Sequence, residues 1–250
     1  MKNRKRRGSS RYYLYFMFSL LGLAVVGLGI YFLLINLPAL NLKQIQVSGN
    51  AAVSDSLILS VAKPCIGQNL LAISKGELRK RYSKYARIKS VRILRKYPST
   101  LAIQIVERKG FLYLKTVDGD LCPIDEDCVV LEKYSNVYSE DLPVVSTFMR
   151  TQQLKPGLRL NKPYLNRIMN VHKQILTEAP EFAPTVSEYY VVDNTVYMID
   201  SRLGTRIIPS PENLAKQLKR YQFVQDNGNI NPHSVVDLRF SNQVVVKAGN

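Results

Sequence analysis

The feature that most restricts this chain is a run without charge. Residues 12–42 contain no Asp, Glu, Lys or Arg, and six basic residues precede them: Lys2, Arg4, Lys5, Arg6, Arg7 and Arg11. Roughly 24 residues of the run are strongly apolar; at about 1.5 Å of helical rise each they reach about 36 Å, past the roughly 30 Å hydrocarbon core of a bilayer. A backbone in lipid must satisfy its own hydrogen bonds, so a single transmembrane helix is expected over residues 12–37. The alternative is a cleaved signal peptide. Its apolar stretch is usually about 7–15 residues and ends in small residues, which "INLPALNLK" does not supply, so the expectation is an uncleaved anchor. The basic tail, residues 1–11, and the interfacial Tyr12, Tyr13 and Tyr15 place the N-terminus in the cytoplasm and the rest of the chain outside the inner (plasma) membrane.

Charge then divides the chain beyond the span. Residues 43–109 hold fourteen Lys/Arg against Asp55, Glu77 and Glu107, whereas residues 110–250 hold fifteen against sixteen acids. The shift predicts two extracytoplasmic domains, 38–109 and 110–250. A basic domain invites a nucleic-acid reading, but across the membrane from the chromosome that reading falls away, and acidic partners outside remain, anionic lipid headgroups among them.

The smaller domain reads as strand, helix, helix, strand, strand. Residues 42–47 form a strand that stops at Ser48-Gly49-Asn50. Ser54 is placed to cap a helix carrying Leu57, Ile58 and Val61 on one face, and Pro64 ends it. A second helix opens at Ser74-x-x-Glu77, a capping-box spacing, with Leu78, Tyr82 and Tyr85 on one face. In "VRILRKYPSTLAIQIVERK" (residues 91–109), Val91 and Ile93 and then Leu101, Ile103 and Ile105 alternate with period 2 around a proline turn, which predicts a β-hairpin with one apolar face. Arg92, Arg95 and Lys96 are assigned to its basic surface.

In the larger domain, strands are expected over 111–117, 129–132, 141–146, 189–192, 195–199, 205–208, 235–240 and 244–247. Residues 129–132 are read as the partner of 111–117. Two helices, 161–176 and 211–224, should cover the sheet, the second starting at Pro211 and ending in Lys216, Lys219 and Arg220. The fold class is therefore α+β: a transmembrane helix, a βααββ domain, and a mixed β-sheet domain with two covering helices. Cys122 and Cys128 flank "PIDED", and export allows a disulfide between them; Cys65 is left as a buried thiol. His172 and His233 have no nucleophile motif near them, the acids at 118–127 do not form a calcium loop, and no Gly-rich phosphate loop is present. Neither a catalytic set, a cofactor nor a metal is expected, and binding is the class of function that remains.

"IQVSGN" (45–50), "VSDSLILSVAKPCIGQNLLAIS" (53–74), residues 91–109 and "VVDLRFSN" (235–242), in that order behind a single span, resemble the FtsQ/DivIB family of bacterial cell-division proteins. The resemblance implies that the βααββ unit is a POTRA domain. It also implies a non-enzymatic bitopic scaffold of the division machinery, enriched at the septum. Its partners would be FtsB-like and FtsL-like bitopic proteins and other septal membrane proteins. Carried over by motif, the contact region is Phe240, Asn242, Gln243, Val244 and Val246, where strand 244–247 is a candidate edge for an added partner strand. A central position for that strand would remove the edge. The chain departs from the family's pattern at Tyr97, where a tryptophan is usual, at Gln243, where a glycine is usual, and at residues 125–128, which replace a D-x-x-G turn. A POTRA-bearing chaperone or translocation accessory is the competing reading, although the chain shows neither a repeated POTRA unit nor barrel strands.

Overall fold

The computed structural model describes residues 9–133, 141–210, 212–228, 230–241 and 243–248. The chain falls into two compact units, residues 1–82 with 90–106, and residues 83–89 with 107–250.

The first unit opens with helix α1 (Ser9–Ile35), whose stretch Tyr12–Ile35 is long and apolar enough to cross a membrane. A 3-10 turn at Pro38–Leu40 leads into strand β1 (Gln44–Ser48). Helices α2 (Asp55–Ala62) and α3 (Lys75–Tyr82) come next, then strands β2 (Ile88–Lys96) and β3 (Thr100–Glu107). The sheet order is β1-β3-β2, with β1 parallel to β3. Ser54 caps α2 by accepting from the Leu57 N–H, and the Ser74 hydroxyl accepts from the Glu77 N–H at the start of α3. The Glu77 carboxylate, however, turns to Arg81 one turn on. Ile93, Leu101, Ile103 and Ile105 of the strands and Ile58, Leu78 and Tyr82 of the helices are all buried, and the Tyr82 hydroxyl donates to the Ile58 carbonyl at 2.8 Å. Gly49 is obligatory. Its φ is +85°, and a Cβ there would stand 2.2 Å from the Ile105 carbonyl oxygen.

Arg95 requires a correction. Period 2 places it on the same side of β2 as Ile93, and its guanidinium donates to the Leu71 and Ile73 carbonyls at 3.3 and 2.9 Å. It ties down the loop before α3 rather than furnishing free positive surface. Arg92 and Lys96 are exposed as expected, with the Lys96 ammonium donating to Gln46 at 2.9 Å.

The second unit is an eight-stranded mixed sheet. Its strands are β4 (Leu112–Lys115), β5 (Leu121–Ile124), β6 (Val144–Ser146), β7 (Val186–Val192), β8 (Thr195–Asp200), β9 (Thr205–Ile208), β10 (Val235–Asp237) and β11 (Val245–Lys247). Their spatial order is β11-β10-β9-β8-β7-β6-β4-β5. Helices α4 (Pro163–Glu178) and α5 (Leu214–Asn227) cover one face. Leu165, Ile168, Met169 and Ile175 of α4 and Leu214, Leu218 and Tyr221 of α5 bury against Tyr189, Met198, Ile207 and Val236 of the sheet.

Three expectations change here. The partner of β4 is β5, not residues 129–132, because Asp118-Gly119 turns the chain first, with Gly119 at φ +87°. Residues 129–131 instead fold back along the outer side of β5: the Leu131 N–H donates to the Pro123 carbonyl and the Asp125 N–H to the Val129 carbonyl. Helix α5 begins at Leu214 and runs to Asn227, so Lys216, Lys219 and Arg220 fall mid-helix, and Pro211 lies outside the described residues. The bridge expected between Cys122 and Cys128 is not formed; both are buried free thiols within the apolar core, and burial pushes both thiols up in pKa. Packing alone accounts for their burial.

Buried polar groups hold this unit together. Asp125 accepts from the Asp127 and Val129 N–H groups and from Arg108, so its carboxylate is spent on a turn. Arg87, 2% exposed, donates from Nε to the Glu132 carbonyl, while the Glu132 carboxylate accepts the Ala86 and Arg87 N–H groups. His172 is buried in α4, edge-on to Phe111 and 3.0 Å from the Tyr189 hydroxyl; desolvation lowers its pKa to about 4, so the ring is neutral.

Candidate functional site

Among the described residues, sheet topology leaves an open edge at β11 where a backbone can add to the second unit. Strand β11 is bonded to β10 alone, in the register Val235 to Lys247, Val236 to Val246 and Asp237 to Val245. Among the described residues nothing pairs with its other side. The parity of that register decides what the edge displays. Val246 lies opposite Val236, which is fully buried under the helices, so Val246 and Val244 point to the helix side, while Val245 and Lys247 point away. Val246 is nevertheless 42% exposed, because no neighbour beyond it completes the cover.

Helix α5 runs beside this edge, and between them lies a groove of about 750 Å³ lined by Lys216, Lys219, Arg220, Phe223, Gln243 and Val244, among others. Phe223 is 67% exposed. The buried stripe of α5, Leu214, Leu218 and Tyr221, leaves Phe223 off its face. A large aromatic placed outside a helix's own apolar period was the available signal in the sequence.

The turn before the edge is fastened to the same helix. Gln217, 2% exposed, donates from Nε2 to the Phe240 carbonyl at 2.8 Å and the Ser241 carbonyl at 3.2 Å, and Arg220 also donates to the Ser241 carbonyl. The Phe240 ring itself is half-exposed. Helix α5 is in turn fixed to the sheet through Asp200, which is fully buried. Burial would raise its pKa, but the paired Arg202 guanidinium and the Tyr221 hydroxyl, at 2.8 Å, hold the carboxyl below its ordinary value. Of the residues assigned to partner binding, Phe240, Gln243, Val244 and Val246 thus gather along one edge and its groove, and Asn242 lies outside the described residues. The sequence reading missed Phe223, Lys219 and Arg220. Arg92 and Lys96 belong to the first unit. Among the described residues, no group of three or more His, Cys, Asp or Glu is placed to hold a metal ion.

A family model described as "POTRA domain, FtsQ-type" matches residues 40–108. The chain is 38% identical over 97 residues to the cell division protein FtsQ of Mycobacterium bovis, covering 39% of this chain and 31% of that protein. It is 22% identical over 207 residues to the cell division protein DivIB of Solibacillus silvestris, covering 81% and 67%. A third relative, the DivIB of Clostridium botulinum, is 29% identical over 105 residues, covering 42% and 41%. The chain therefore spans less than a third of the mycobacterial relatives it matches. The chain thus combines an N-terminal helix long and apolar enough to cross a membrane, an FtsQ-type POTRA domain and a larger mixed sheet. The named proteins it is similar to are thus the cell division proteins FtsQ and DivIB, and the FtsQ-type match lies in the POTRA domain.

Proposed function

We propose that this protein is a bitopic, non-enzymatic scaffold of the division machinery, with its N-terminus cytoplasmic and its two units outside, concentrated at the septum. Its partners on this reading are FtsB-like and FtsL-like single-span proteins, and an extended segment of the FtsB-like partner adds a strand to β11. The open edge at Val245–Lys247 carries the proposal. Each added backbone hydrogen bond contributes about 0.5–1.5 kcal/mol net, and side chains at alternate positions would enter the α5 groove and supply specificity. Phe240 and Phe223 are the aromatic anchors.

The test is co-purification from detergent-solubilised envelope. Phe240→Ala is expected to abolish recovery of the FtsB-like protein and to block division, with the variant's melting temperature within a few degrees of the parent. Loss of folding before loss of binding would refute the edge as the contact.

A further inference from the structure

We infer that the first unit is seated on the lipid surface, with Ile66 and Tyr97 inserted into the interfacial layer of the membrane that α1 enters. The starting observation is Asn69, which is buried. Its Nδ2 donates to the Leu34 carbonyl at 3.0 Å and the Leu37 carbonyl at 3.4 Å, while its Oδ1 accepts the Leu71 N–H at 2.9 Å. A side chain from the loop between α2 and α3 therefore caps the carboxyl end of the spanning helix, whose last carbonyls have no partner within the helix. No free linker separates span from sheet: the Leu70 N–H donates to the Leu40 carbonyl, the Gly67 N–H to the Leu42 carbonyl, and the Leu42 N–H to the Gln68 carbonyl.

Length sets the depth. The apolar stretch Tyr12–Ile35 has 24 residues. At about 1.5 Å each it is roughly 6 Å longer than the hydrocarbon core, so its final turn emerges at headgroup level. Asn69, bonded to Leu34, is at that level too.

The register of β1 then brings a second loop to the same end. The Lys43 N–H donates to the Ser99 carbonyl, and Gln44 pairs with Thr100, so the turn holding Tyr97 stands level with the helix exit. Ile66 on one loop is 52% exposed and Tyr97 on the other 59%, the most exposed large hydrophobics of the POTRA sheet and its loops together with Val106. Lys43 and Lys63 are exposed beside them, and residues 34–44, 62–71 and 95–100 contain no acid. An aromatic with a polar tip, a β-branched aliphatic and lysines around a helix exit fit the boundary between acyl chains and anionic headgroups.

The chain contains no tryptophan, so Tyr97→Trp and Ile66→Trp each introduce a single fluorophore. The full-length variants are reconstituted into phosphatidylethanolamine–phosphatidylglycerol vesicles carrying lipids brominated near the top of the acyl chain. Phe148→Trp, at a position 96% exposed in the second unit, serves as the aqueous reference. The expected result is quenching by brominated lipid and several-fold weaker quenching by acrylamide at positions 66 and 97 than at 148. Adding Asn69→Ala to Ile66→Trp is expected to remove most of the lipid quenching while circular dichroism is unchanged. Emission at 66 and 97 as open to acrylamide as at 148, with no lipid quenching, overturns the inference. Unchanged lipid quenching in a folded Asn69→Ala variant overturns the role given to the cap.

Discussion

The two edges of the eight-stranded sheet are treated in opposite ways. At the β5 edge the chain folds back on itself, and residues 129–131 occupy backbone groups that would otherwise face solvent. At the β11 edge there is a three-residue strand, a half-exposed valine and an aromatic-lined groove. An unpaired edge is an aggregation hazard, and soluble sheets normally cover both. A molecule that closes one edge and leaves the other open beside a groove has the asymmetry expected of a surface kept for another strand.

The largest expected effect tests the closed edge. Val130 is 1% exposed in the core cluster, so Val130→Asp buries an unpaired charge and should cost about 4 kcal/mol, read as a lowered denaturation midpoint of the full chain in detergent. Acid should act on the same half of the sheet. The buried His172 has its folded pKa lowered from 6.5 to about 4, so the unfolded chain binds the extra proton first as pH falls. Stability from this group is full above about pH 6.5 and declines toward pH 4, by about 3 kcal/mol in all; His172→Gln should flatten that slope. Beside the open edge, Tyr221→Phe removes a hydrogen bond to Asp200 that Arg202 partly replaces, for a loss of about 1–2 kcal/mol. Smallest in stability is Val246→Lys at the open edge, expected within about 0.5 kcal/mol of the parent yet deficient in partner recovery. If Val130→Asp and Val246→Lys cost the same, the two edges do not differ as described. Alkylation of the unreduced, unfolded chain should count three thiols; one would show that Cys122 and Cys128 bridge.

Local signals carried much of this fold. The uncharged run, the Ser54 cap, the period-2 hairpin and the apolar stripe of α4 each depend on residues near one another in sequence, and each is found where its pattern placed it. What was missed depends on distant partners. Arg95 looked like surface because its acceptors, the Leu71 and Ile73 carbonyls, lie more than twenty residues away. Residues 129–132 have strand composition, but the Asp118-Gly119 turn had already supplied β4 with a nearer partner. The candidate site was half legible. Motif order pointed to the terminal strand, whereas the contribution of α5 emerges only once Gln217 and Phe223 are brought against it.

The Gln217 bond to the turn has a mechanical consequence. A strand attached beside β11 and pulled by its own membrane anchor loads the short β10–β11 ladder. Three paired residues resist little if they are peeled apart one bond at a time. Because Gln217 and Arg220 hold the Phe240 and Ser241 carbonyls, tension entering at β11 passes through the turn into a fourteen-residue helix instead of unzipping the sheet from its end. If the proposed partner strand adds there, β11 is a tether point anchored from behind, and its resistance to force should depend on a glutamine that need not touch the partner.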